Sequence, residues 1–389
     1  MKSSNIGLFG FGVVGEGIYK VLDQKNKMKA TIKKIVIKNP DKKRDAPSSL
    51  FTTNANLVLD DSSIDLIVEL IDDADAAFEI VITAMQKGKS VISANKKMIA
   101  ENLPVLLETA KQHKVSFLYE AAVCGSVPII RNLEEYFNND LISNITGIVN
   151  GSTNYILTQM TKLNLDFESA LDKAKKLGFA ESNPKLDVEG WDARNKLKII
   201  ALHAFGKLIK NEDIHVNGIQ SITKFDINYA KEKGYIIKLL VTCRVNSKRD
   251  IQEVSVLPTF VPKYHPLRLT DDEFNGVLIG GELADQQFLY GKGAGRYPTS
   301  SAVLSDISAY LFDYKYEYKK NIEVVDRVAS AKRKFYISFG KDVDLDFSSL
   351  GEVQEVYENE DQCYVILDGQ TDKVLTVLDV PNVSIICYN

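Results

Sequence analysis

Residues 5–22, NIGLFGFGVVGEGIYKVL, decide how the amino-terminal part of the chain folds. An apolar run from Ile6 to Phe9 leads into Gly10-Phe11-Gly12-Val13-Val14-Gly15, after which Ile18, Val21 and Leu22 recur at helical spacing. A GxGxxG pattern alone is a weak signal; between a strand and a helix near an amino terminus it becomes a specific one. The glycines permit a tight turn, close approach of backbone to a pyrophosphate, and tight helix–strand packing, with phosphates at the helix start. Gly10, Phe11, Gly12, Val13, Val14 and Gly15 are therefore the first candidate cofactor-binding residues. The alternative is a glycine-rich turn in some other α/β domain.

Outward from this turn, strand-like runs at 34–38, 65–70, 90–93 and 115–119 alternate with helical patterns. That alternation predicts a doubly wound, parallel α/β sheet. A site selective for NAD places an acidic residue at the end of the second strand. Here Lys38 and Asn39 occupy that region, with Lys42 and Arg44 nearby. Positive charge without a carboxylate favours the 2′-phosphate of NADP(H) over NAD(H); a solvated basic loop is the alternative. Ser93, Lys96 and Glu120 fall at or just past strand ends, where ligands bind in open α/β sheets.

With 389 residues the chain can form two or more domains, each with its own core. Its 45% hydrophobic and 26% charged residues are those of a soluble globular protein rather than a disordered one. A net charge of -4 gives no basic field for nucleic acid or an anionic membrane. Cys124, Cys243, Cys363 and Cys387 lack metal-ligand spacing, which suggests a reduced, cytoplasmic chain. The opening residues read as a strand rather than a signal peptide, and no apolar run reaches membrane-spanning length.

A second stretch concerns chemistry: residues 178–206, GFAESNPKLDVEGWDARNKLKIIALHAFG. Leu197, Ile200, Ala201 and Ala204 predict an amphipathic helix from about Trp191, with Asp192 and Lys196 on one face at i,i+4. Pro184 and Gly190 mark an irregular loop before it, able to bring Glu181 and Asp187 over the helix start. On these residues alone the set is either a surface ion pair beside an acidic loop or a substrate pocket. In a pocket the carboxylates would hold an ammonium group and the lysine would exchange a proton.

The motifs IGLFGFGVVG, SANKKMIA, YEAAVCGSVPII, GIVNGSTNYIL, LGFAESNPKLDVEGWDARNK and GKGAGRYPTSSAVLSDI, in this order over residues 5–320, resemble the homoserine dehydrogenase family. That resemblance implies interconversion of L-homoserine and L-aspartate 4-semialdehyde with NAD(P)(H), in threonine, methionine and isoleucine synthesis. It also implies particular roles. Lys196 matches the catalytic acid/base, Asp192 the carboxylate beside it that contacts substrate, and Lys96 the active-site lysine of the ANK motif. Glu181 matches a residue touching substrate and cofactor, Asp187 another acidic pocket position, and Gly151 and Ser152 the substrate-lining NG(T/S)xN motif. Gly178, Gly293 and Gly295 match segments close to the cofactor. Glu120, Val123, Gly125 and Val127 match a monovalent-cation site, for Na+, supplied largely by backbone oxygens.

The chain departs from the family pattern at Asn183, where aspartate is usual, and at Ile71-Asp72-Asp73, which replaces a small glycine-rich turn. Three regions are expected. A Rossmann-type nucleotide-binding domain would span 1–127 with a return helix at about 300–318, and an α+β substrate and dimerisation domain 128–299. A small α+β module at 320–389 resembles a reduced ACT-type regulatory unit without its usual Asp-Arg-Pro-Gly turn. No kinase-type region precedes the glycine motif, so a monofunctional enzyme is expected, as a homodimer or homotetramer. Two rivals remain on the residues alone. Aspartate-semialdehyde dehydrogenase needs a nucleophilic cysteine, for which Cys124 is the candidate. A non-catalytic NAD(P) sensor would leave Glu181, Asp192 and Lys196 unexplained.

Overall fold

The computed structural model describes residues 2–24, 28–139, 141–326, 328, 330–359 and 362–389. It divides into two compact units, residues 1–136 with 292–319, and residues 137–291 with 320–389.

In the first unit, β1 (Ser4–Phe9), β2 (Ala30–Val36), β3 (Phe51–Thr52), β4 (Leu66–Glu69), β5 (Ser90–Ser93) and β6 (Phe117–Leu118) form one parallel sheet. Its order is β3-β2-β1-β4-β5-β6, that of a doubly wound nucleotide-binding fold, as the alternating pattern predicts. Leu8, Ile35, Leu66, Ile67, Val68, Val91 and Ile92 are completely buried. Such continuous apolar runs belong to strands covered by helices on both faces. The helices here are α1 (Val13–Gln24), the short α2 (Asn56–Leu59), α3 (Ala74–Gln86), α4 (Lys96–Gln112) and α5 (Ile129–Glu134). Asp73 caps α3 by accepting from the Asp75 and Ala76 amides, and Asn95 caps α4 through Met98.

Two elements differ from the sequence expectation. The second strand ends at Val36, so Lys38 lies in the following loop rather than in the strand. The return helix runs Arg296–Leu311 instead of 300–318. It begins where Gly295 takes a φ of 118°, and it packs on α1 through Ser300, whose hydroxyl donates to Val14 O. Beyond it the chain is extended, because Tyr314, Tyr316 and Tyr318 alternate with charged residues and turn inward. The Tyr316 and Tyr318 hydroxyls reach the Tyr119 amide and hydroxyl at 3.3 and 3.0 Å.

The second unit contains β7 (Ile142–Ile148), α6 (Gly151–Leu163), α7 (Phe167–Leu177), the helical turn α8 (Lys185–Val188) and α9 (Trp191–Phe205). Then follow the two-residue strands β8 (Lys207–Leu208) and β9 (His215–Val216), α10 (Lys224–Glu232), β10 (Tyr235–Val245), β11 (Ile251–Pro262), β12 (Phe274–Gly281) and β13 (Asp285–Lys292). The rest is β14 (Glu323–Val324), β15 (Lys332–Gly340), β16 (Gly351–Glu358), β17 (Gln362–Gln370) and β18 (Val383–Tyr388). One mixed sheet runs β13-β12-β7-β10-β11-β18-β15-β17-β16, with α9 lying against β7, β10 and β11.

Residues 320–389 therefore do not stand apart in this unit. Their strands β18-β15-β17-β16 follow the order of a βαββαβ module whose first helix is only the 3-10 turn Phe347–Ser349. Strand β18 pairs in parallel with β11, Thr259 opposite Cys387 and Phe260 opposite Tyr388. Leu257 of β11 packs in the same core cluster as Phe335, Ile337, Val365 and Ile385.

Candidate active site

The glycine turn after β1 has the geometry its residue types require. Gly10 has a φ of 95°, and a Cβ there would lie 2.8 Å from Leu70 O. A Cβ on Gly15 would lie 2.4 Å from Gly10 O, so α1 can start this close to the strand only with glycine. Gly12 has no heavy atom within 4 Å of that position. It is the place where backbone is open to an approaching phosphate, with Val13 and Val14 opening α1.

Beside this turn the loop after β2 forms a groove of about 470 Å³ lined by Pro40, Lys42, Arg44, Ser48, Phe51 and Thr52, among others. Arg44 donates to Asn39 O and Lys42 O at 2.7 and 2.6 Å, and its guanidinium lies 5.5 Å from the Phe51 ring centre. Arg44 is thus tied to the backbone of its own loop beside the glycine turn. Lys38 is exposed at the mouth of this loop. Across the sheet, Ser93 ends β5 and Lys96 is the first residue of α4.

Between β6 and α5, Cys124 and Gly125 have φ of 56° and 54°, so consecutive left-handed residues fold the Glu120–Val127 segment into a tight turn. Glu120 O and Val127 O accept the amides of Val123 and Ile129. Both Glu120 carboxyl oxygens face inward and accept the Ile130 and Arg131 amides at 2.9 and 2.8 Å, capping α5. Burial, reinforced by the Asp306 carboxylate, pushes the Glu120 acid up to about 8. A Cβ on Gly125 would strike Gly293 O at 2.4 Å, so the Gly293–Gly295 turn is seated directly on this segment. Cys124 is buried inside the turn, as a small packed thiol rather than an exposed nucleophile.

In the second unit the residues singled out on α9 come together. Lys196 Nζ lies 2.7 Å from Asp192 Oδ2 and donates to Val149 O at 2.7 Å. The side chains of Lys196 and Asp192 are 10% and 5% exposed, which excludes a surface ion pair. Asp187, on the helical turn α8, joins them through a residue that the sequence reading does not single out. Asn150 donates its amide to Asp187 Oδ1 at 2.7 Å and to Asp192 Oδ2 at 2.8 Å. Its carbonyl meanwhile caps α6 by accepting from Thr153 N. Burial, with the Asp192 charge next, raises the Asp187 carboxyl above its ordinary range.

Gly151 begins α6 directly after Asn150, and a Cβ there would lie 2.7 Å from Glu273 O. Ser152 Oγ donates to Phe179 O, and Gly178 closes α7 as a left-handed cap with a φ of 77°. Helix α6 is fixed from behind by Asn154, whose amide reaches the carbonyls of Thr270, Asp272 and Phe274. Buried Lys238 donates to Asn154 Oδ1 and Thr270 O in the same anchor, and burial lowers its ammonium to about 8. Not all the acids converge. Glu189 turns to Trp191 Nε1 at 2.7 Å, and Glu181 is exposed on the loop without entering the Asn150 cluster.

A doubly wound sheet with a dinucleotide turn, and a buried lysine held among carboxylates, are the parts that an oxidoreductase with a nicotinamide cofactor needs. Comparison with known proteins narrows the class. The family model for the homoserine dehydrogenase NAD-binding domain matches residues 10–120, and that for homoserine dehydrogenase matches residues 128–308. Homoserine dehydrogenase of Bacillus subtilis is 40% identical over 320 residues, 80% of this chain and 73% of that protein. A homoserine dehydrogenase from Thiobacillus denitrificans superposes with a TM-score of 0.88 at 30% identity, covering 100% of this chain and 99% of that one. The Staphylococcus aureus homoserine dehydrogenase gives 0.77 at 31% identity, with the same coverage. The chain belongs to the homoserine dehydrogenase family.

Among the described residues, no helix is long and apolar enough to cross a membrane.

Proposed function

We propose that this chain interconverts L-homoserine and L-aspartate 4-semialdehyde, using NADP(H) in preference to NAD(H), in the synthesis of threonine, methionine and isoleucine. The Asn150 bridge is the observation that carries this reading. It holds Asp187 and Asp192 side by side next to Lys196, in a cluster sheltered from water. Two carboxylates and one ammonium leave a single negative charge, which suits the amino group of an amino-acid substrate. An arriving cation also relieves the strain that burial places on Asp187.

When bound, the reduced cofactor supplies a hydride from its nicotinamide ring. Lys196 handles the proton. Of its three donors, one is directed at Val149 O and one at Asp192, which leaves one for the substrate oxygen. It protonates the developing alkoxide in the reducing direction and accepts the hydroxyl proton in the other. Asp187 and Asp192 hold the substrate ammonium and so align the carbonyl, while Glu181 stays on the exposed loop outside their cluster. Gly151 and Ser152 offer the positive end of α6 to the substrate carboxylate. Lys96, the first residue of α4, is the second lysine assigned to the reaction in this proposal.

Gly10 to Gly15, Lys38, Ser93, Gly178, Gly293 and Gly295 line the cofactor in this proposal, with Lys42 and Arg44 meeting the 2′-phosphate. In the same proposal the backbone oxygens of Glu120, Val123, Gly125 and Val127 hold a monovalent cation, Na+, at the tight turn formed by left-handed Cys124 and Gly125. The chain acts in the cytoplasm as a homodimer or homotetramer. The deciding experiment follows NADPH absorbance with L-aspartate 4-semialdehyde, repeated with NADH. Rapid oxidation yielding homoserine supports the reading. NADPH binding without turnover would point instead to a sensor.

A further inference from the structure

Among the buried acids that the mechanism above does not use is Glu69. Glu69 is the last residue of β4 and completely buried, at the carboxyl edge of the parallel sheet. A carboxyl group in such a place must be fully hydrogen-bonded to be tolerated. Its two oxygens are satisfied from two different loops. Oε1 accepts from Ile71 N at 2.6 Å, and Oε2 from Ser93 Oγ at 2.5 Å. Ser93 Oγ in turn accepts from Asn95 N at 3.1 Å. Asn95 returns its amide to Ile71 O at 3.1 Å, and its carbonyl caps α4 at Met98 N.

These bonds close a ring, Glu69–Ser93–Asn95–Ile71, that joins the loop after β4 to the turn after β5. Both parts of that ring face named candidates. Leu70 O is the atom against which Gly10 is packed, and the capped helix begins with Lys96. We propose that Glu69 is a positioning residue for the reaction, setting the Ile71 loop against the glycine turn and the Ser93–Lys96 turn against the cofactor. This rests on the reading that those two turns hold the dinucleotide.

Burial pushes the Glu69 acid up to about 7, and the Asp72 charge adds to the shift. The ring tolerates either protonation state for a chemical reason. A serine hydroxyl both donates and accepts. When Glu69 is protonated, its O–H donates to Ser93 Oγ while its carbonyl keeps the Ile71 N–H. Glutamine reproduces that neutral arrangement, its N–H donating to Ser93. Aspartate keeps the charge but is one methylene too short to span both loops.

The test compares Glu69→Gln, Glu69→Asp and Glu69→Ala in the full-length enzyme, reading NADPH affinity by fluorescence, kcat, and KM for each substrate, with thermal unfolding alongside. Glu69→Gln should stay within about threefold of wild type in NADPH Kd and kcat. Glu69→Asp should weaken NADPH binding about tenfold or more and lower kcat, with KM for L-homoserine changing less. Glu69→Ala should do the same if it folds; the two other variants decide the matter if it does not. A residue needed only for stability would lower Tm and leave Kd and kcat per folded molecule unchanged, and that result would overturn the proposal. So would a Gln variant as impaired as Asp. A wild-type protein that neither binds NADPH nor turns over would count against the proposed function itself, before any variant is compared.

Discussion

Lys196 Nζ sits 2.7 Å from Asp192 Oδ2, one helical turn earlier on α9, with both side chains almost wholly out of solvent. A buried pair of this kind contributes little net stability, but removing one partner strands the other at a cost of about 3–5 kcal/mol. Lys196→Ala should therefore lower kcat by about 10²–10⁴-fold, the usual worth of a positioned acid/base. NADPH affinity, measured by fluorescence titration, should remain within about twofold. A kcat within tenfold of wild type would remove Lys196 from its proposed role.

Asn150 offers a sharper comparison because it donates to both acids at once. Asn150→Ala removes those bonds and the cap of α6, which costs about 1 kcal/mol as a cap alone. Asn150→Asp keeps a capping oxygen but places a third carboxylate beside Asp187 and Asp192. Like charges at that range oppose each other's ionisation. The Asp variant keeps the cap but should work worse than the Ala variant, with lower kcat/KM for L-homoserine. An Asp variant at least as active as the Ala variant would show that Asn150 serves the helix and not the site.

The glycine turn separates folding from binding. Gly15 abuts Gly10 O, whereas the space over Gly12 is empty. Gly15→Ala should lower Tm by several degrees, since overpacking costs about 1–3 kcal/mol. Gly12→Ala should leave Tm unchanged yet weaken NADPH binding at least tenfold, because its methyl group occupies the approach of the pyrophosphate. Calorimetry on the free protein and titration with NADPH distinguish the two.

For the 2′-phosphate, the groove after β2 places Lys42 and Arg44 together. Charge-assisted bonds to phosphate are about twice as strong as neutral ones. The double variant Lys42→Ala/Arg44→Ala should raise KM for NADPH about tenfold or more and change that for NADH less than threefold. Equal loss with both cofactors would mean that these residues support the loop and not the phosphate.

Much of this was legible in the residues because each signal was local. The strand–glycine turn–helix order, the apolar strands and the Asp192–Lys196 spacing all lie within about two turns of chain, and each appears in the structure, with β2 ending two residues early. What escaped detection depended on distance. The use of Asn150 as a bridge needs acids 37 and 42 residues away, and a sequence shows it only as a helix cap. Glu69 looks like one more residue at a strand end until Ser93 and Ile71 close around it. The union of 320–389 with the second sheet rests on pairing between β11 and β18, more than a hundred residues apart, for which no local pattern exists. The return helix ends at Leu311 rather than 318 for a local reason, since Tyr314, Tyr316 and Tyr318 alternate with a period of two rather than 3.6.

The buried acids give stability a particular dependence on pH. Glu69 is raised to about 7 and Glu120 to about 8, each from 4.5, and Asp306 to about 7 from 3.8, all chiefly by burial. In the window between the unfolded and folded values, the folded chain holds protons that the unfolded chain has released. Stability from these groups is therefore intact below about pH 4 and declines as pH rises toward 8, then levels off. Exposed acids with lowered values, such as Asp61, act in the opposite sense at lower pH, so total stability alone does not isolate the effect. Glu69→Gln does, because it fixes the neutral form in the same ring. Its Tm relative to wild type should climb between pH 5.5 and 8 and be flat above 8. A difference that stays constant across that range would mean that Glu69 is already ionised at pH 5.5, held so by the Ile71 and Ser93 donors against the cost of burial.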